Sequence, residues 1–140
     1  MISYPIIRIV ALGLLFGFSN ILLGSISSAQ QHAAEDSKEI NFLLAAQSND
    51  IAGILQGLDQ SVSVDSRDAN GRTALLIATH AHAIDAARLL IAAGADVNAK
   101  DNLEDSPYLY AGAEGRLEIL KMTIAAGADL GSVNRYGGTA

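Results

Sequence analysis

Asp68-Ala-Asn-Gly-Arg-Thr-Ala-Leu-Leu-Ile-Ala78 recurs 33 residues on as Asp101-Asn-Leu-Glu-Asp-Ser-Pro-Tyr-Leu-Tyr-Ala111, with the aspartates, the hydroxyl residues Thr73 and Ser106 and the closing alanines in register. The unit ends as regularly as it begins: Ala92-Ala-Gly-Ala-Asp-Val97 returns as Ala125-Ala-Gly-Ala-Asp-Leu130 at the same offset. Agreement at both ends with no gap between them marks a repeat architecture, in which each unit buries its apolar face only against its neighbours.

Each unit reads as turn, helix, turn, helix. Asp68 and Gly71 suit a tight turn, because Asn70-Gly71 is the dipeptide that most readily accepts positive φ. Thr73 is placed to cap a first helix, and Ser106 followed by Pro107 repeats that signal with proline at the first helical position. Leu75, Leu76, Ala78 and Thr79 make that helix short and small-sided, which lets a neighbour approach closely. Ile84, Ala87, Leu90 and Ile91 form the stripe of a second helix, with Gly94 and Gly127 just beyond its end as left-handed terminators.

The pattern resembles the ankyrin repeat, on Asp68-Ala-Asn-Gly-Arg-Thr-Ala-Leu-Leu, Gly94-Ala-Asp-Val-Asn-Ala99, Asp101-Asn102 and Ser106-Pro107. The resemblance covers about residues 39 to 140. It implies an all-α solenoid of helix-turn-helix units joined by β-hairpin-like turns. Three units are expected, a degenerate 39–67 followed by 68–100 and 101–133, with the start of a further unit at 134–140. The first keeps only its register, Phe42 aligning with Leu75, Ala45 with Ala78 and Val64 with Val97, and Ser61-Val62-Ser63 replaces Gly-Ala-Asp. Such loss is expected of a terminal unit that meets water on one side. Asn134-Arg-Tyr-Gly-Gly-Thr-Ala140 opens a unit that stops two residues into its helix, as a truncated array would.

The departures from the family pattern predict a marginal array. The family's histidine after leucine is replaced by Leu43, Leu76 and Leu109, so packing must supply what a polar tie would. At the end of the first helix Gly115 conforms and Asn49 can turn left-handed, but His82 does so less readily. Glu104 stands at the hairpin glycine, and Thr123 interrupts the leucine run.

The chain of 140 residues is half hydrophobic, with no cysteine and a mean hydropathy of +0.28. Of its hydrophobic residues, 18 lie in the first 29 positions, and the remainder has ordinary globular composition. Arg8, the apolar run Ile9 to Leu23 and the small residues Gly24 to Ala29 read as an export signal, with cleavage after Ala29 freeing Gln30. The rival is an uncleaved membrane anchor, since the apolar stretch from Ile6 reaches about 18 residues where a span needs roughly 20; Gly13, Gly17, Ser19 and Asn20 weaken it. Residues 30 to 38 have no apolar anchor and are expected to form a flexible leader. The chain carries a net charge of −6, and beyond Ala29 the 15 acidic residues outnumber 8 scattered basic ones, which argues against nucleic-acid and membrane-surface binding.

No cysteine excludes disulfides, thiolate metal sites and cysteine nucleophiles. No catalytic triad spacing, phosphate-cradling loop or paired metal-binding histidine motif stands out. His80 and His82 are two apart on a helix, about 200° around it, and are poorly placed to share one metal. No cofactor and no metal are therefore expected, and no enzyme activity. The resemblance implies a protein partner held by the hairpin tips and the concave face, which on this chain are Asn70, Arg72, His80, Asn102, Leu103, Asp105, Tyr110 and Glu114. The expected function is a non-catalytic protein-interaction module exported to the periplasm or medium. The alternative is a marginally folded fragment of a longer array with no binding activity of its own.

Overall fold

The structure, a computed structural model, describes residues 27–140. All but the last three residues of the expected export signal lie outside the described residues. Among the described residues six helices follow in order: α1 (Ser28–Gln47), α2 (Ile51–Asp59), α3 (Ala74–His80), α4 (Ile84–Ala92), α5 (Pro107–Ala113) and α6 (Leu117–Ala125). They pair as α1 with α2, α3 with α4 and α5 with α6, one pair per unit. Inner helices stack α3 on α5, and outer helices stack α2 on α4 and α4 on α6. This is the all-α solenoid that the repeat period implies.

The expected caps form. Leu76 N–H donates to Thr73 Oγ1 at 3.3 Å and Leu109 N–H to Ser106 Oγ at 3.2 Å, with Pro107 in the first turn of α5. Among the second helices α2 is capped by Asp50, whose Oδ1 accepts from Gly53 N–H at 3.1 Å, whereas α4 and α6 have no such cap of their own, because Ala83 and Arg116 precede them. For α4 the preceding unit provides one: Ala86 N–H donates to Asn49 Oδ1 at 2.8 Å. Asn49 thus turns the chain left-handed at φ 57° and caps the next unit's helix.

Small residues set the stacking distance. Ala46, Ala74, Ala78, Ala86, Ala87 and Ala111 are fully buried, and helices meeting at such positions approach toward the short end of the usual 8–10 Å range. Phe42, Ile54, Leu75, Leu90 and Ile119 fill the space between pairs. Leu76 and Leu109, standing where a polar tie was missing, are also buried, so packing does replace it. Thr123 is buried without cost to its hydroxyl, which donates to Leu120 O at 2.8 Å.

Two expectations change. Residues 30 to 38 are not a flexible leader, since α1 runs from Ser28 through them to Gln47. Ala33, Ala34, Glu35 and Lys38 are good helix formers, and extending a helix already nucleated at Phe42, Ala45 and Ala46 needs no new nucleus. His82 adopts the left-handed turn at φ 55° despite its side chain.

Beyond the first unit, whose opening lies within α1, each unit opens with a finger. Asp68 N–H donates to Arg72 O and Gly71 N–H to Asp68 O; Asp101 N–H to Asp105 O and Glu104 N–H to Asp101 O repeat the turn, and Asn134 N–H to Gly138 O and Gly137 N–H to Asn134 O repeat it again. Gly71 and Gly137 sit at φ 76° and 75°, and Glu104 at 63°. A left-handed conformation costs a residue with a Cβ roughly 1 kcal/mol, so Glu104→Gly is expected to stabilise the protein by about 0.5–1 kcal/mol after the added freedom of the unfolded chain is discounted. Gly71→Ala should do the reverse by about 1–2 kcal/mol, because its new Cβ would also lie 2.6 Å from Asn102 Oδ1 and 3.3 Å from Asn102 N. Thermal unfolding followed by circular dichroism measures both; a Glu104→Gly protein melting no higher than the parent would contradict the assignment.

Candidate functional site

The fingers and the inner helices α1, α3 and α5 enclose a concave face. Its fingers are held by a ladder that repeats with the sequence period. Arg67 Nη1 donates to Lys100 O at 2.7 Å and Lys100 Nζ to Val133 O at 2.7 Å, each bond spanning 33 residues. Asn102 N–H donates to Asn70 O at 3.0 Å, and the Arg135 guanidinium donates to Asn102 O. Below the fingers, Asp96 N–H meets Asp65 Oδ1 at 3.0 Å and Asp129 N–H meets Asn98 Oδ1 at 2.7 Å, so residues 65 and 98 do the same work one unit apart.

Three adjoining cavities run along this face, of about 470, 190 and 250 Å³. All are lined by Arg72; Ile77 joins the first two and His80 the last two. The first is walled by Ile40, Leu43 and Leu44 of α1, and Ile40 and Leu44 stay 57% and 54% exposed. Leu44, Ile77 and Tyr110 occupy one register position in successive units, one on each inner helix.

His80 and Tyr110 join the second unit to the third. Their rings stack 3.7 Å apart and 10° from parallel. His80 Nε2 is buried without a hydrogen-bond partner among the described residues. Burial, assisted by the Arg72 guanidinium, pushes the His80 imidazole below its ordinary pKa, against the opposing pull of Asp101, Asp105 and Glu114. At neutral pH it is an uncharged aromatic surface.

The other expected face residues divide into tied and open ones. Arg72 is held by Asp68 at 2.7 Å, and Asp68 also accepts from the amides of Asn70 and Arg72. Burial works to raise the Asp68 pKa, but the Arg72 and Asn70 hydrogen bonds and the Arg72 charge outweigh it and hold the carboxyl below its usual value. Asn102 is engaged in the ladder, and Asp105 Oδ1 accepts from Asn134 Nδ2 at 3.2 Å. Leu103 is exposed at its fingertip, Asn70 is exposed at the preceding one, and Glu114 is exposed at the end of α5. Ile40, Leu43, Leu44 and Ile77 escaped the sequence reading, although the 33-residue register of Leu44 and Ile77 with Tyr110 would have shown two of them. His82 points elsewhere, its Nδ1 lying 3.3 Å from Arg116 Nη1, so it shares no site with His80.

A family model of ankyrin repeats in three copies matches residues 27–134. The chain belongs to the ankyrin repeat family. It is 34% identical over 98 residues to the ankyrin repeat protein YahD of Escherichia coli strain K12, covering 70% of this chain and 49% of that protein. Among solved structures, an ankyrin repeat domain from Acinetobacter baumannii AYE is similar with 59% identity and a TM-score of 0.67, covering 70% of this chain and 50% of that one. The ankyrin repeat protein EF0377 is similar with 44% identity and a TM-score of 0.65, covering 71% and 51%. The chain thus spans about half the length of these relatives.

The site carries a pH signature. A histidine whose pKa is lower folded than unfolded resists protonation in the folded state, so stability declines as pH falls below the unfolded value of about 6.5 and is restored as pH rises through that window. Asp68 acts in acid: its contribution is present above about pH 4 and is lost as pH falls through its depressed folded value. The melting midpoint is therefore expected to drop between pH 7.5 and 5, and His80→Phe, which preserves an aromatic stack on Tyr110, should remove much of that drop. An unchanged pH slope in the variant would assign the effect to other groups.

Proposed function

We infer that this ankyrin repeat protein is an exported, non-catalytic protein-interaction module. Ankyrin repeats are in general protein-interaction modules. The observation that carries the reading is the run of adjoining cavities along the concave face, lined by Ile40, Leu44 and Leu103, which are roughly half exposed there. Asn70, Arg72, His80, Asn102, Leu103, Asp105, Tyr110 and Glu114 are proposed to meet the partner, joined by Leu44 and Ile77. Export rests on the charge, apolar run and small-residue order of residues 1–29, with the periplasm or the medium as destination. Among the described residues no helix is long and apolar enough to cross a membrane.

Two measurements test this. Expressed in a bacterium, the full chain should appear outside the cytoplasm with an intact mass that begins at Gln30; a membrane-bound product retaining Met1 would instead support the anchored form. Partners captured from the periplasmic fraction should lose affinity roughly tenfold or more on Leu103→Ser with Tyr110→Ala, the scale expected when a central contact worth over 1 kcal/mol is removed. Leu55→Ser on the outer helix α2, also an exposed site, should change it less than twofold. Equal losses from both would place the contact off the concave face.

A further inference from the structure

The groove carries more acid than base. Asp36, Glu39, Asp68 and Asp101 line its cavities, and Asp105 and Glu114 lie near enough to act on the charge of His80. Against these six carboxylates stand the two guanidinium groups of Arg67 and Arg72. Both are committed within the fold: Arg72 to Asp68, and Arg67 to the carbonyls of Gly71 and Lys100 at 2.7 Å each. On the fingers, Lys100 and Arg135 likewise donate to backbone carbonyls of a neighbouring unit. Glu39 and Glu114, in contrast, are exposed and belong to no ion pair among the described residues.

The remaining charge therefore attracts cations, while Ile40, Leu44 and Leu103 present apolar surface between. Resting on the interaction-face reading above, we propose that the groove binds a cationic, apolar peptide segment of a partner protein. Lysine or arginine side chains meet Glu39 at one end and Glu114 at the other, and aliphatic side chains between them seat on Ile40, Leu44 and Leu103. Stacked helices 8–10 Å apart put α1 and α5 roughly 20 Å from each other. An extended segment of about six residues spans that distance. The groove repels acidic segments by the same charge.

The test uses three fluorescein-labelled nonapeptides in which leucine alternates with lysine, glutamate or serine, titrated by fluorescence anisotropy against the protein. The lysine peptide is expected to bind at least tenfold tighter than the other two. Glu39→Lys with Glu114→Lys should weaken it about tenfold or more, since exposed charge contacts contribute roughly two- to fivefold each and reversal adds repulsion. Asp59→Lys with Glu118→Lys makes the same change in net charge on exposed positions of the outer helices α2 and α6 and should alter binding less than threefold. Equal weakening by the two double variants would show bulk attraction and overturn the proposal, as would a lysine peptide that binds no better than the serine peptide. The face and its partner class fail separately. Binding led by the glutamate or serine peptide and lost in Leu44→Ser keeps the face and rejects the cationic partner, whereas binding unchanged in Leu44→Ser and in the Glu39/Glu114 variant rejects the face itself.

Discussion

A hydrogen bond that reaches 33 residues along the chain is the constraint on which the array depends. Arg67 to Lys100 O and Lys100 to Val133 O are one contact made twice, and the amides of Asp96 and Asp129 meeting Asp65 and Asn98 are another. Each works only if successive units have the same length, because one added residue would carry the donor away from its carbonyl and turn the following helix stripe out of the core. The short helices gain stability chiefly from their neighbours, since α3 and α5 are seven residues each and a lone helix of that length is not stable in water. With no cysteine in the chain, stacking and this ladder must hold the units together.

Much of this was legible because the repeat placed chemically matched residues at a fixed spacing. Thr73 and Ser106 announced their caps, and the alanines announced close stacking. The ladder was legible too, in Arg67 and Lys100 at one register position, but a cation ending a unit looks like ordinary surface charge until its carbonyl is seen. The extension of α1 was hidden for a different reason. Residues 30 to 38 contain nothing to bury, and burial is what a sequence reading uses to find helices; their order comes instead from continuing a helix whose other end is anchored by Phe42.

Departures from the family pattern proved to be relocations of the same physical work. Asn49 turns the chain left-handed without a glycine and adds a cap that glycine could not provide. Leucine at 76 and 109 replaces a polar tie with buried volume. Glu104 is the exception: its left-handed backbone is held by the turn bonds around Asp101, and nothing in the structure explains why a glutamate stands there.

The same constraint shapes the face. Residues that look toward the groove stand on helices whose opposite sides are fully buried: Ile77 and His80 flank Ala78 and Thr79, and Thr79 Oγ1 is tied to Leu75 O at 2.8 Å. The stacked His80 and Tyr110 rings restrict each other further. A partner thus meets side chains that are already ordered, and little of the contact energy is spent on immobilising them. Because finger cations are used to bind one unit to the next, the ladder that orders the face also leaves its exposed charge to the carboxylates of Glu39 and Glu114.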